Sequence, residues 1–253
     1  MNASRGWGLI LWVLGVVATP AIADTRQPVV LELFTSNSCA QCPAANDFMR
    51  ELQRAPPPGI ELILLSEHVD YWNPYGWIDR YARARYTERQ QMYGWDNFQG
   101  KVYTPQLIID GRRSTVGSWK DAVREEIQAM AGQADRPVSI ELVANGSERL
   151  SVDVGFTHAP SDNAAEIWVA LIQNDVVSVI GAGENAGRTL HEDGLVHALV
   201  RAQPGAGVDG AVPQFNASVN LPPGVARKDL AVVAFAQRTD SHAVVGAARR
   251  PLP

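Results

Sequence analysis

Val29-Val30-Leu31-Glu32-Leu33-Phe34-Thr35-Ser36-Asn37-Ser38-Cys39-Ala40-Gln41-Cys42-Pro43 decides how the rest of the chain is read. Val29 to Phe34 is β-branched and apolar with one charge, Glu32, which reads as a buried strand. Thr35 to Ser38 is a polar turn able to cap a helix. From Ala40 to about Leu52 the apolar residues Phe48, Met49 and Leu52 recur at helical spacing, with Pro43 in the first turn where proline costs least. Two cysteines two residues apart therefore open a helix directly after a strand. The chain has no others. The loop such a pair closes is too short for much stapling, so the spacing favours redox chemistry over structure.

The helix start presents unpaired N–H groups and partial positive charge, and both favour thiolate, the nucleophilic form. Cys39 is expected at the exposed helix start, attacking a partner disulfide. Cys42 is expected one turn on, more buried, resolving the mixed disulfide. An inert disulfide and half of a metal site are the competing readings. In the metal reading the thiolates suit Cu(I), with His68 as a third ligand beside Cys39 and Cys42. Thr104-Pro105 enters an apolar segment. Such a proline is often accommodated as cis, leaving the backbone of Thr104 free to pair with an extended substrate. An ordinary strand-entry proline is its alternative. Glu32, an acid in an apolar strand, needs a task or a partner; it could lie beneath the cysteines with a raised pKa and carry the proton of Cys42, or occupy a strand edge.

Outward from that stretch, Pro56-Pro57-Pro58-Gly59 breaks the chain and Ile60–Leu65 is a second strand dense enough to be buried on both faces. An aromatic loop with Trp72, Tyr75 and Trp77 follows, expected to pack rather than to bind substrate. Residues 78–93 read as one helix, Gln106–Asp110 as a third strand and 118–131 as a last helix. The order implies an α/β sheet with helices on both faces. Past Asp135-Arg136-Pro137 the pattern turns to short alternating runs, at 138–143, 150–156, 167–172, 176–180, 212–221 and 230–236. These suggest a mostly antiparallel β-sandwich. The boundary is placed at 133–137, giving segments 24–135 and 136–253. Gly181 to Gly187 is glycine-rich but lacks the Gly-Lys-Ser/Thr and the parallel βα context of a phosphate loop, so it reads as a demanding turn.

The first 23 residues read as a signal peptide: Arg5, an apolar run from Trp7 to Ala18, and Ala21-Ile22-Ala23 before Asp24. The run is shorter than the ~20 residues a spanning helix needs, which favours a cleaved signal over a retained anchor, and with no second run of spanning length no membrane span is expected after cleavage. The expected location is periplasmic or secreted, where thiols become disulfides. A formal charge of −5 with no basic run gives no footprint for nucleic acid. Expected partners are protein or small-molecule thiols and disulfides, and no cofactor is expected.

Together, the strand, the Cys39-Ala40-Gln41-Cys42-Pro43 turn and Thr104-Pro105 resemble the thioredoxin superfamily. Leu31-Glu32-Leu33-Phe34-Thr35-Ser36, His68-Val69-Asp70-Tyr71-Trp72, Val102-Tyr103-Thr104-Pro105-Gln106 and Gly183-Glu184-Asn185-Ala186-Gly187-Arg188-Thr189 are similar to a family of secreted bacterial thioredoxin-like proteins, of the DUF1223 type. The resemblance implies a thioredoxin-like N-terminal domain ahead of the β-rich one. It departs from thioredoxin in carrying Ala-Gln between the cysteines and in setting Glu32 one residue further from the first cysteine.

Overall fold

The structure, a computed structural model, describes residues 26–131, 138–145, 148–156, 165–205 and 214–253. The expected signal peptide and the boundary at 133–137 lie outside them. Strand β1 (Gln27–Thr35) runs to the cysteine turn and α1 (Cys42–Arg54) leaves it. Then come β2 (Ile60–His68), α2 (Ala84–Asn97), the hairpin β3 (Gln106–Ile109) and β4 (Arg113–Val116), and α3 (Lys120–Met130). β1 pairs β2 in parallel and β3 antiparallel, and β4 pairs β3 antiparallel, so the four strands lie in the order β2-β1-β3-β4.

The β-rich part contributes β5 (Val138–Asn145), β6 (Arg149–Phe156), β7 (Ala165–Gln173), β8 (Val176–Val179), β9 (Thr189–Glu192), β10 (Leu195–Arg201), β11 (Gln203–Pro204), β12 (Gln214–Asn220), β13 (Leu230–Arg238) and β14 (Val244–Pro251). Four of these extend the first sheet. β10 joins β2, and the described sheet becomes β14-β13-β7-β10-β2-β1-β3-β4. The molecule is a mixed α/β fold around one large mixed sheet that both stretches of the chain build. A second sheet, β11-β12-β6-β5, and a small β8-β9 hairpin complete it.

Side-chain alternation assigns the faces. Leu31 and Leu33 of β1 pack with Ala45, Phe48 and Met49 of α1 and with Val123 and Ile127 of α3. On the same face, further along, Val169 and Leu171 of β7 and Val232 and Ala234 of β13 meet Leu150, Val152 and Val154 of β6, so two sheets stack there; the expected sandwich is not a separate unit, because one of its layers is the sheet shared with β1 to β4. The opposite face is continuous: Val30, Ile63, Ala170, Ile172, Val233 and Phe235 form one core with Tyr86 of α2. Strands β7 and β13 are thus buried on both faces, which is why their sequences are unbroken apolar runs.

The helix expected at 78–93 starts instead at Ala84. Residues before it are held in irregular form: Arg83 N–H donates to the His68 carbonyl, Ala82 N–H to the Asp79 carbonyl, and Tyr81 N–H to the Asp79 carboxylate. Those bonds give the backbone an alternative to a helical turn. Strands β4, β9, β10, β11 and β14 fall where no strand is expected from the apolar pattern. In β10 the pairing register shifts between Val196 and Ala198, which interrupts the alternation that marks a strand.

Candidate functional site

The cysteine turn sits where β1 ends and α1 begins. Cys39 and Cys42 form a disulfide with 5.4 Å between their Cα atoms. Cys39 N–H donates to the Ser36 carbonyl and Cys42 N–H to the Cys39 carbonyl, and the helix proper begins at Cys42, two residues later than expected. Cys42 is buried, as expected. Contrary to the exposed position expected at a helix start, only 1% of the surface of Cys39 is accessible. The glycine-rich segment 181–187 lies on the turn. Asn185 Nδ2 donates to the carbonyls of Asn37 (2.9 Å) and Cys39 (3.0 Å), and Ala40 N–H donates to Glu184 Oε2 (3.2 Å). Ala40 and Gln41, between the cysteines, remain exposed.

Thr104-Pro105 has the cis peptide bond that its position suggested. Pro105 is buried at the start of β3, and its carbonyl accepts from Gly117 N–H (3.0 Å). A Cβ on Gly117 would stand 2.8 Å from Leu33, 3.1 Å from Ala45 and 3.7 Å from Pro105, so this proline lies on the α1 side of the sheet, against the helix that carries Cys42. Thr104 Oγ1 accepts from Trp72 Nε1 at 2.7 Å. The aromatic loop also reaches the cysteine turn, because Ser38 Oγ donates to the Trp77 carbonyl at 2.7 Å. Trp72 and Trp77 are half-buried there, whereas Tyr75, expected to pack with them, stays exposed on the rim with Ile78.

Beneath the turn lies a buried ionic group that the sequence only half revealed. His68, at the end of β2, points Nδ1 at Asp79 Oδ2 (2.7 Å) and has Nε2 3.2 Å from Glu192 Oε1. Burial would push this imidazole down, but the two carboxylates outweigh it and hold it well above the usual histidine range. Burial would likewise raise Asp79, yet His68 and the N–H groups of Asn37 (2.7 Å) and Tyr81 (3.0 Å) pull it down to about 2. Glu192 also accepts from Asn46 of α1 at 2.9 Å. Both imidazole nitrogens are thus directed at carboxylates, not at the cysteines. Among the described residues no group of three or more His, Cys, Asp and Glu is arranged to hold a metal ion.

Glu32 lies elsewhere. It shares the face of Val30 and Phe34, across the sheet from α1, and is fully buried against α2. Arg89 Nε meets its Oε1 at 2.5 Å and Tyr93 donates to its other oxygen. Glu67 stands 3.8 Å from the same guanidinium, and burial, then the Glu32 charge, raises its carboxyl well above the usual range. Gln237 of β13 closes the group: its Nε2 donates to Tyr93 (2.6 Å) and its Oε1 accepts from Arg89 (3.1 Å). Glu32 lies neither beneath the cysteines nor at a strand edge or solvent-facing slot: β1 is paired on both sides, and the acid is satisfied by Arg89 and Tyr93. Asp79, Glu184, Asn185 and Glu192 were not singled out from sequence. The only signal for two of them was that Glu184 and Asn185 fall inside a stretch shared with the resembled family.

A family model described as a protein of unknown function (DUF1223) matches residues 30–237. The chain belongs to that family. The match spans both sides of the expected boundary and contains the cysteine turn, His68, Pro105 and the covering segment. A crystal structure of a protein from Agrobacterium tumefaciens is similar to this DUF1223 chain, at 26% identity and a TM-score of 0.61, over 88% of this chain and 94% of that one. HBP35 of Porphyromonas gingivalis is similar in fold, at 16% identity and a TM-score of 0.63, over 90% of this chain and 76% of that one. A comparison with curated proteins finds no match. No helix among the described residues is long and apolar enough to cross a membrane.

Proposed function

We propose that this DUF1223 chain is an exported thiol–disulfide oxidoreductase, periplasmic or secreted, with a thioredoxin-like N-terminal part. The observation that carries the proposal is the joint position of three features: a Cys39–Cys42 disulfide between β1 and α1, the α1 N-terminus, and Thr104-Pro105 on the same side of the sheet. The order β2-β1-β3-β4, with β3 antiparallel to β1 and helices on both faces, supports the thioredoxin-like reading. In this reading 24–135 carries the chemistry and 136–253 covers it.

The exchange balances as two thiolate displacements. A client thiolate attacks Cys39 Sγ, the Cys39–Cys42 bond breaks, and Cys42 leaves as a thiolate stabilised at the helix start. A second client thiolate then attacks the client sulfur of the mixed disulfide and releases Cys39. The client dithiol has lost two electrons and two protons, and the protein has become a dithiol. Run backwards, the same steps reduce a client disulfide. Thr104 and Pro105 border the path of the client chain. Glu32 takes no part in these steps as written, since its carboxylate faces Arg89 and Tyr93 across the sheet.

One observation favours a second reading, a binding module with a resting disulfide: both cysteines are buried. A copper site using Cys39, Cys42 and His68 would require His68 to leave Asp79 and Glu192. Equilibration with glutathione buffers separates the readings. An oxidoreductase pair is expected between about −120 and −270 mV, and a structural disulfide below about −300 mV. Cys42→Ser should trap mixed disulfides through Cys39. A pair that stays oxidised in strongly reducing buffer, with a Cys42→Ser variant that captures nothing, would leave the resting-disulfide reading standing. Tight Cu(I) binding that depends on His68 would move the assignment to metal handling.

A further inference from the structure

The segment Gly181–Gly187 does more than turn the chain between β8 and β9. It is closed on itself by Gly187 N–H to the Ile180 carbonyl (2.8 Å), Ile180 N–H to the Arg188 carbonyl (3.0 Å) and Arg188 N–H to the Asn185 carbonyl (3.1 Å). This compact unit lies on the aromatic loop through backbone contact. Gly76 and Gly183 both have positive φ (94° and 75°), and a Cβ on Gly76 would stand only 3.2 Å from the Gly183 Cα, so glycine at both positions is what lets the two turns meet. From that seat it directs one buried donor, Asn185 Nδ2, and one exposed acceptor, Glu184, at the backbone of the cysteine turn. Asn185 is itself oriented by Arg188, whose guanidinium donates to Asn185 Oδ1 at 3.0 Å.

These contacts have a complement. If the segment lifts, the Asn37 carbonyl and the Ala40 N–H lose these partners, and the Cys39 carbonyl keeps only the bond from Cys42 N–H, with its second lone pair open. Two acceptors and a donor within four residues are what a polypeptide can satisfy with its own backbone or an amide side chain. A small monothiol lacks the groups to do so, and leaving such groups unpaired is costly. The same segment covers Cys39, which an isolated helix start would expose.

We infer that Glu184 and Asn185 form a latch over Cys39–Cys42 that mimics a bound polypeptide, and that a client polypeptide gains access by replacing it. The inference rests on the thiol-exchange reading and names its substrate class: cysteine-bearing polypeptide rather than free small thiol. Latch and client compete for the same three backbone groups, so weakening the latch speeds exchange without any change at the sulfur atoms.

The test measures reduction of the oxidised full-length protein by a cysteine-containing decapeptide and, separately, by dithiothreitol. Asn185→Ala removes both hydrogen bonds from Asn185 Nδ2, and the decapeptide rate constant should rise about tenfold or more, by the worth of two hydrogen bonds. Glu184→Gln, at an exposed side chain that leaves packing intact, should give a rise of about twofold, consistent with a solvent-screened contact. Val152→Ala, a destabilising change in the remote β6 core, should leave both rates unchanged. Asn185→Ala and Glu184→Gln rates equal to wild type would overturn the latch. So would a Val152→Ala variant that accelerates as much as Asn185→Ala, because general loosening would then explain the effect. The glutathione potential of the wild type is read independently. A value below about −300 mV would sink the redox function, while the dithiothreitol and decapeptide rates would still decide whether the latch controls access.

Discussion

Two buried polar groups lie on opposite faces of the same sheet and share a plan, a basic side chain between two carboxyl groups. On the α1 face His68 stands between Asp79 and Glu192; on the α2 face Arg89 stands between Glu32 and Glu67. The difference is in what each touches. Asp79 accepts from Asn37 N–H at the cysteine turn, and Glu192 holds Asn46 of α1, so the His68 group fixes the geometry of the site. The Arg89 group joins β1, α2 and β13 through Glu32, Tyr93 and Gln237 and lies away from the sulfur atoms. The cations differ too, since arginine stays charged at any accessible pH whereas imidazole can lose its proton. A buried carboxylate in a strand is therefore no guide to catalysis until its face is known.

The largest expected effect breaks the α2 group. Arg89→Leu removes the only cation facing Glu32 and Glu67 from α2, together with bonds to Tyr93 and Gln237. Breaking a buried pair from one side costs about 3–5 kcal/mol, and this site should lie at the upper end, read as a lowered denaturant midpoint. The glutathione potential of the folded fraction should stay at the wild-type value. A variant of wild-type stability would show that the two carboxyls need no cation.

On the other face the expected loss is smaller but depends on pH. His68→Gln keeps a hydrogen-bonding side chain and removes the charge between Asp79 and Glu192, which should cost about 3 kcal/mol at neutral pH. The wild type gives the sign. His68 is held above its ordinary value of 6.5, so its contribution is complete below 6.5 and disappears as pH rises through the raised value. Asp79 acts at the other end: lowered to about 2, it stabilises above 3.8 and that share fades as pH falls toward 2. Denaturation of both proteins across alkaline pH should show their stabilities converging. Parallel curves would mean that His68 is already neutral in the folded protein.

Much of the fold was legible in the sequence, for a physical reason. Val29 to Phe34, Ile60 to Leu65 and Leu230 to Ala236 are largely buried on both faces, and near-continuous apolar runs report that directly. The cysteine spacing and Thr104-Pro105 marked two corners of the site. What could not be read were contacts made at long sequence separation by polar residues. Asn185 reaches Cys39 across 146 positions, and Gln237 reaches Arg89 across 148. Neither leaves a periodic trace. The exposure expected for Cys39 failed for the same cause: a helix start implies an open cysteine only when nothing distant in the chain lies on it.

The smallest expected effect tests the comparison most sharply. Glu32 was the acid expected under Cys42 because it is the one charge in an apolar strand. In the structure, alternation turns it toward Tyr93 and Arg89, while Leu31 and Leu33 face α1. Glu32→Gln should therefore lower stability through the weakened Arg89 contact yet leave the thiol chemistry alone. For a two-electron couple ~30 mV corresponds to ~1.4 kcal/mol of selective stabilisation of one redox state. A carboxylate acting directly on Cys42 should shift the potential, or the pH dependence of exchange, by at least that much. One on the far face should shift it by less. The measurement is the Glu32→Gln potential in glutathione buffer, with exchange rates between pH 6 and 9. A shift beyond ~30 mV, or a displaced pH profile, would return Glu32 to the thiol chemistry and show that the two faces communicate through the sheet.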